Sequence, residues 1–215
     1  MDTIKNPNLS IVIPGGCNGR CSFCFWEEDK NELSLEKYLL ALRDMLDSMP
    51  SQFRQISLTG GEPTLSHYFL PITGILRQRR DRWPKIVLTT NGTNLRNSEI
   101  RTEIEDVVDH INISRHAVDD NENFKIFGTK TVPDQNVLYY TIGEMNAIGI
   151  DVTANCVIQN NKQPGVKKYL EFAKKMGFSA VCFRKRHGNN INLSPTSQEN
   201  GYSHYKSVHE SECPV

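Results

Sequence analysis

The chain has 215 residues, enough for one large domain or two small ones, and its 38% apolar and 23% charged content is ordinary for a water-soluble protein. Lys plus Arg and Asp plus Glu both number 25, and this zero net charge gives no support to nucleic acid as a primary partner. The start, MDTIKNPNLS, is polar and leads into a short apolar run, Ile11-Val12-Ile13, which reads as neither a signal peptide nor a membrane span and points to the cytoplasm.

Along the chain, short β-branched runs alternate with longer amphipathic ones. LSIVIP (9–14) predicts a buried strand stopped by Pro14-Gly15-Gly16. Ser34 is placed to cap a helix in which Leu35, Leu39, Leu42 and Leu46 recur at helical spacing, with Glu36 in its first turn. FRQISLT (53–59) predicts a second strand ended by Gly60-Gly61, and 67–80 a helix weakened by Pro71 and Gly74. KIVLTT (85–90) is a third strand closed by Asn91-Gly92, followed by a helix over 95–108 and a fourth strand, HINIS (110–114). A helix over 136–148 stops at Gly149, and a fifth strand covers 151–159. A helix over 165–176 ends at Gly177, and AVCFRKR (180–186) is a sixth strand.

Strands alternating with helices of this length imply βαβ units and a parallel sheet, either open and doubly wound or curled. A full eight-fold barrel needs roughly 250 residues. The expected fold is therefore an α/β partial (β/α)6 parallel barrel over residues 1–187. Residues 188–215 are polar, rich in Asn and Ser and without a clear period, and form a separate C-terminal segment, packed as a loop or partly disordered. It ends at Cys213-Pro214-Val215, half of a C-x2-C pattern, which fits either a natural end or a truncation.

Three of the six cysteines fall within eight residues, Cys17, Cys21 and Cys24, in a Gly-rich loop directly after the first strand. In a reducing compartment such clustering points to metal or redox chemistry rather than disulfides. Soft thiolates select iron–sulfur clusters, zinc or Cu(I). Structural zinc needs a fourth ligand, which His67 or His116 would have to supply through the fold. A cubane held by three cysteines leaves one iron open. The spacing C-x3-C-x2-C, with the aromatic Phe23 before the last Cys, resembles the radical S-adenosylmethionine (radical SAM) superfamily. The resemblance implies a [4Fe–4S] cluster on Cys17, Cys21 and Cys24 whose open iron chelates the amino and carboxylate groups of S-adenosylmethionine. An electron from the cluster then cleaves the carbon–sulfur bond, giving methionine and a 5′-deoxyadenosyl radical that abstracts hydrogen from substrate.

A second motif supports this. Thr59-Gly60-Gly61-Glu62-Pro63 resembles the family's GGEP motif at the end of the second strand, which implies binding of the ligand's amino group by Gly60, Gly61 and Glu62. Glycine permits the backbone to come close, and a nearby carboxylate suits an ammonium. Fainter resemblances assign Phe23, before the last Cys, and Asn91, Ser114, Asn155, Val157 and Arg184 to the same ligand; these last five share a location toward the carboxyl ends of strands, where parallel α/β folds bind.

Other residues have plainer readings. His116 is either an acid–base group facing the site or a hydrogen-bonded loop histidine. Asp119 and Asp120 read as a solvated helix cap. Cys156 and Cys182 read as small core residues. Cys213 with His204 and His209 would make an auxiliary metal site only with further cysteines, and Arg184-Lys185-Arg186-His187 is either an anion contact or a solvated strand end.

The expected function is radical SAM chemistry on a peptide or protein, with a nucleotide-like or other small metabolite as the runner-up and a non-catalytic metal-binding scaffold as the rival from another class. A flavodoxin- or ferredoxin-type electron donor is implied by the resemblance.

Overall fold

A computed structural model describes residues 8–24, 26, 33–49, 53–158 and 165–185. Six strands alternate with helices: β1 (Asn8–Ile13), α1 (Leu35–Ser48), β2 (Gln55–Gly60), α2 (Phe69–Arg77), β3 (Ile86–Thr90), α3 (Ser98–Val107), β4 (His110–Ser114), α4 (Asp120–Phe127), α5 (Gln135–Ala147), β5 (Asp151–Ile158), α6 (Val166–Met176) and β6 (Ala180–Lys185). The strands are all parallel and lie in sequence order, β1-β2-β3-β4-β5-β6. Right-handed crossovers in an unbroken order put every helix on one face. A doubly wound sheet reverses its order part-way, so this is the partial barrel.

Strand alternation sorts the two faces. Ile11, Ile13, Ile56, Leu58, Ile86, Leu88, Ile111, Ile113, Val152 and Ala154 are buried against the helices. The residues between them, such as Thr59, Thr89, Asn112, Ser114 and Asn155, are mostly polar and face the other way. The apolar stripe of each helix completes the core: Leu42 and Leu46 from α1, Ile72, Ile75 and Leu76 from α2, Ile100 and Ile104 from α3, and Tyr169, Phe172 and Met176 from α6.

Several elements differ from expectation. Ser34 precedes α1 but makes no side-chain cap bond; its carbonyl accepts the Tyr38 N–H at 2.9 Å. The stretch expected as one helix over 67–80 is α2 flanked by short 3₁₀ turns at Pro63–Leu65 and Arg80–Arg82. Pro71 sits in the first turn of α2, where its missing N–H costs nothing. Asn97 delays α3 by three residues, accepting N–H bonds from Glu99 (3.1 Å) and Ile100 (3.2 Å).

Helix α4 has no counterpart in the expected elements: it has eight residues and opens on the polar run DNEN. Asp119 caps it, accepting from Glu122 N–H at 2.9 Å, and left-handed Gly128 stops it. Asp120 is no solvated cap. It takes the Arg115 guanidinium at 2.7 Å and the Gln135 N–H at 3.1 Å. The expected ends of the fifth and sixth strands at 159 and 186, the polar segment 188–215 and its Cys213, His204 and His209 lie outside the described residues.

Candidate active site

The site forms where the loop after β1 lies across the ends of β2, β3 and β4. The turn at Gly60-Gly61 makes this crossing possible. Gly60 has φ of +148°, and a Cβ there would sit 2.5 Å from the Ile13 carbonyl oxygen. At Gly61 a Cβ would meet the Gly16 carbonyl oxygen at 2.5 Å and Trp26 Nε1 at 2.8 Å. Backbone therefore packs directly on backbone, and the Glu62 N–H donates to the Gly16 carbonyl at 3.1 Å. On the other flank, the Ser66 hydroxyl donates to the Pro14 carbonyl.

Further along the loop, Asn18 joins it to two distant segments. Its Nδ2 donates to the Thr93 hydroxyl at 2.9 Å and the Thr131 hydroxyl at 2.6 Å, while its Oδ1 accepts from Asn91 Nδ2 at 2.7 Å. The Arg20 N–H donates to the Phe127 carbonyl at 2.7 Å, tying the loop to the end of α4. Phe23 meets the His116 ring edge-on, with centroids 4.9 Å apart. Trp26 Nε1 donates to the Gly15 carbonyl at 3.2 Å and closes the loop on itself.

Cys17 and Cys24 are exposed and Cys21 is half-buried; all three are free thiols. Burial, then the neighbouring Cys24 and Cys17, push the Cys21 thiol up to about 12. Cys17 is raised mainly by burial, with Glu62 and Cys24 adding, while the Gly19 N–H and Asn91 pull it back. Cys17 and Cys21, both raised, oppose loss of their protons until a cationic centre binds them.

Two of the sulfurs are already supplied with donors: Gly19 N–H to Cys17 Sγ at 3.3 Å, Trp26 N–H to Cys24 Sγ at 3.4 Å and Asn91 Nδ2 to Cys17 Sγ at 4.0 Å. Such bonds stabilise thiolate ligands and tune a cluster's potential. Among the described residues, no three His, Cys, Asp or Glu side chains converge as a single metal ion demands. A cubane spreads its irons over its corners and takes more widely set thiolates, so this donor set fits a cluster better than mononuclear zinc. Neither candidate fourth zinc ligand is placed for that role. His67 lies against Tyr68 with the rings tilted by 45°, and the His116 ring is engaged by Val157 on β5.

The Glu62 carboxylate is 1% exposed and accepts four bonds: Thr64 N–H (3.1 Å), Thr64 hydroxyl (2.6 Å), Thr90 hydroxyl (2.7 Å) and Asn91 N–H (2.6 Å). Burial raises its carboxyl above the usual range, against the pull of these donors. Through these bonds Glu62 fastens the end of β2 to the end of β3. Asn91 is 6% exposed and likewise occupied, since its Oδ1 also takes the Thr93 N–H at 3.0 Å and hydroxyl at 2.7 Å.

The remaining candidates lie together beyond the loop. Ser114 on β4 is in register with Asn155 on β5, and Val157 two residues on is in register with Arg184 on β6. Ser114 and Val157 are half-buried, Asn155 is buried and Arg184 is exposed. His116 is 4% exposed and held by hydrogen bonds, as the plainer reading expects, though it packs against the cysteine loop. Cys156 is buried among core residues, its thiol pushed up to about 12 chiefly by burial, and Cys182 is half-buried. Asn18, Trp26, Thr93, Phe127 and Thr131 join the site without having stood out in the sequence. Only Asn18, set between two of the cysteines, carried any signal there.

The sequence profile of the Radical SAM superfamily matches residues 11–177. The chain belongs to the radical SAM superfamily. The family uses a [4Fe–4S] cluster and S-adenosylmethionine, and its profile covers both the cysteine loop and the Gly60-Gly61-Glu62 turn. Among curated proteins the chain is 27% identical over 184 residues to a probable GTP 3′,8-cyclase of Saccharolobus solfataricus, covering 84% of this chain and 57% of that protein. It is 28% identical over 186 residues to the protein of the same name from Sulfolobus acidocaldarius, covering 84% and 56%. The chain thus spans just over half the length of these curated relatives.

Among solved structures, Streptococcus suis SuiB bound to its precursor peptide SuiA matches with a TM-score of 0.64 at 20% identity, over 84% of this chain and 39% of that one. The anSMEcpe structure with AdoMet and the Kp18Cys peptide matches with a TM-score of 0.62 at 19% identity, over 93% and 55%. At these identities the likeness shows a shared radical SAM fold. Among the described residues no helix is long and apolar enough to cross a membrane.

Proposed function

We propose that this chain is a radical SAM catalyst in which Cys17, Cys21 and Cys24 hold a [4Fe–4S] cluster that cleaves S-adenosylmethionine reductively. The observation that carries the proposal is the crossing of the cysteine loop over Gly60-Gly61, where two glycines without room for a Cβ bring backbone against the ligand-bearing loop. When bound, the cluster supplies the electron that breaks the ligand's carbon–sulfur bond.

The chain's own groups bind and orient. Backbone at Gly60-Gly61, held in place by Glu62, faces the ammonium end of the ligand. Phe23, Asn155, Val157 and Ser114 line the path toward its nucleoside, and exposed Arg184 meets a carboxylate. Asn91 acts through Asn18 on the loop. Residues 1–187 form the catalytic unit and 188–215 a separate polar segment. An external one-electron donor of the flavodoxin or ferredoxin type completes the cycle.

The substrate proposed is a peptide or protein. Among the described residues the six-stranded sheet does not close, and SuiB and anSMEcpe, which share the fold, were captured with peptides. A nucleotide-like substrate is the second reading, favoured by the sequence relatives named as probable GTP 3′,8-cyclases. A scaffold without turnover is the third.

Anaerobic reconstitution with iron and sulfide, dithionite reduction and an assay for 5′-deoxyadenosine test the proposal. Product that depends on all three cysteines is expected. A loaded cluster that yields none, with peptide or nucleotide present, would favour the scaffold.

A further inference from the structure

We propose that His116 is a positioning residue that locks the cysteine loop to the end of β5 and so sets the span S-adenosylmethionine must bridge; this rests on the reading above. The ring stands where three segments meet. Its Nδ1 accepts the Val157 N–H at 3.1 Å. One face stacks on Phe127 with centroids 4.9 Å apart and planes 28° apart. Phe23, next to Cys24, meets it edge-on at 4.9 Å and 84°.

The surroundings separate this from a histidine that merely fills the core. β4 pairs with β5 as far as Ser114 and Asn155, and the Arg115 N–H still donates to the Asn155 carbonyl at 2.9 Å. Val157 follows two residues later on the same side of β5. There the imidazole takes the place of a ladder carbonyl, so a side chain continues the sheet where the strand has ended. The histidine is itself fixed, since its N–H donates to Asn123 Oδ1 at 2.9 Å and its carbonyl receives the Cys156 thiol at 3.7 Å.

Phe127 transmits the same constraint by a second route, because its carbonyl holds the Arg20 N–H at 2.7 Å. One ring therefore joins β5 to the cysteine loop directly through Phe23 and indirectly through the end of α4. Accepting a bond at Nδ1 requires the neutral imidazole. Burial enforces it, lowering the ring's pKa to about 3, and the Arg115 charge acts in the same direction.

A ligand tied to the iron at one end and extending over β5 at the other needs both ends held at a set separation, while one bound only at the iron does not. The test uses reconstituted, chelator-washed protein, with iron content, the electron paramagnetic resonance signal of the reduced cluster, and calorimetric binding of S-adenosylmethionine and of methionine. His116→Phe keeps an aromatic ring but loses the acceptor. It is expected to retain wild-type iron and to bind methionine unchanged, while S-adenosylmethionine affinity falls about tenfold, the worth of one buried hydrogen bond. His116→Asn, which keeps an acceptor near the Nδ1 position but loses the stacked ring, is expected to recover part of that affinity.

Phe127→Leu removes the stacked ring without touching the histidine and should reproduce the split in part if the first variant fails to fold. Equal losses for both ligands, or unchanged S-adenosylmethionine affinity in His116→Phe and Phe127→Leu, would overturn the positioning role. Failure of the wild-type protein to bind or cleave S-adenosylmethionine at all would overturn the radical reading, and this inference with it.

Discussion

The carboxyl ends of β1–β3 and of β4–β6 belong to one sheet but are built differently. In the first half almost every polar group near the site is engaged by the protein. Glu62 takes four donors, Asn91 bonds Glu62, Asn18 and Thr93, and the cysteine loop lies on glycines that admit no side chain. In the second half, Ser114, Val157 and Arg184 keep part of their surface. The first half has the character of a mould for one fixed group, and the second that of a surface held ready for a larger ligand. A fixed inorganic centre rewards rigidity, whereas a substrate that must enter and leave needs groups with surface to spare.

The comparison breaks most severely at the cysteines. Cys24→Ala is expected to abolish both cluster loading and 5′-deoxyadenosine formation, a loss of at least about a hundredfold, measured by iron content and chromatography; retention of both would remove Cys24 from the ligand set. Next comes the loop crossing. Gly61→Ala should cost about 2–4 kcal/mol in urea melts, because its neighbours are backbone and an indole, and should lower iron loading. Gly143→Ala is the control: it lies within α5 with nothing within 4 Å of a new Cβ and should gain about 0.5–1 kcal/mol.

Glu62→Gln sets an amide N–H₂ against donors and is expected to cost about 1–3 kcal/mol of stability even without ligand. A loss confined to ligand binding would return Glu62 to a direct role. A titration sharpens the boundary between the halves. With its pKa lowered from 6.5 to about 3, His116 favours the folded state above pH 6.5, and that contribution is lost as pH falls toward 3. The slope is at most about 1.4 kcal/mol per pH unit. His110, also lowered by burial, has the same sign, so the contribution is read as the difference between wild type and His116→Phe, which should shrink from pH 7 to pH 4. Smallest in stability are Ser114→Ala and Arg184→Ala, expected within about 0.5 kcal/mol of wild type while weakening S-adenosylmethionine. A large stability loss at either would mean that the second half is braced as tightly as the first.

What could be read from the sequence follows the same division. The strands were legible because alternation and terminal glycines are local signals, and the cysteine loop and Gly60-Gly61 because chemistry-bearing residues stand close together in the chain. Helix α4 was not, since eight residues opening on DNEN carry too little apolar period. Nor were the anchors of the loop: Asn18 finds Asn91, Thr93 and Thr131 at separations of 73, 75 and 113 residues. Glu62 stood out in its motif, but its contacts did not, because a motif shows which residue is present and not how deeply it is enclosed. Asp120 is hidden from the sequence for a similar reason, its partner Arg115 being fixed by a turn no local pattern announces.

The strictly sequential order of the strands also bears on how the molecule assembles. Among the described residues each strand pairs only with those just before and after it in the chain, so none of them waits for a distant one to appear. Among the described residues, the hydrogen bonds given above for the loop reach as far along the chain as Thr131, and the link through His116 goes on to Val157. As synthesis proceeds from the N-terminus, the cradle for the cluster can close while β5 and β6 are still to come. Pulsed hydrogen exchange during refolding is expected to protect the Arg20 and Glu62 amides ahead of those in β6; simultaneous protection would point instead to a single concerted collapse.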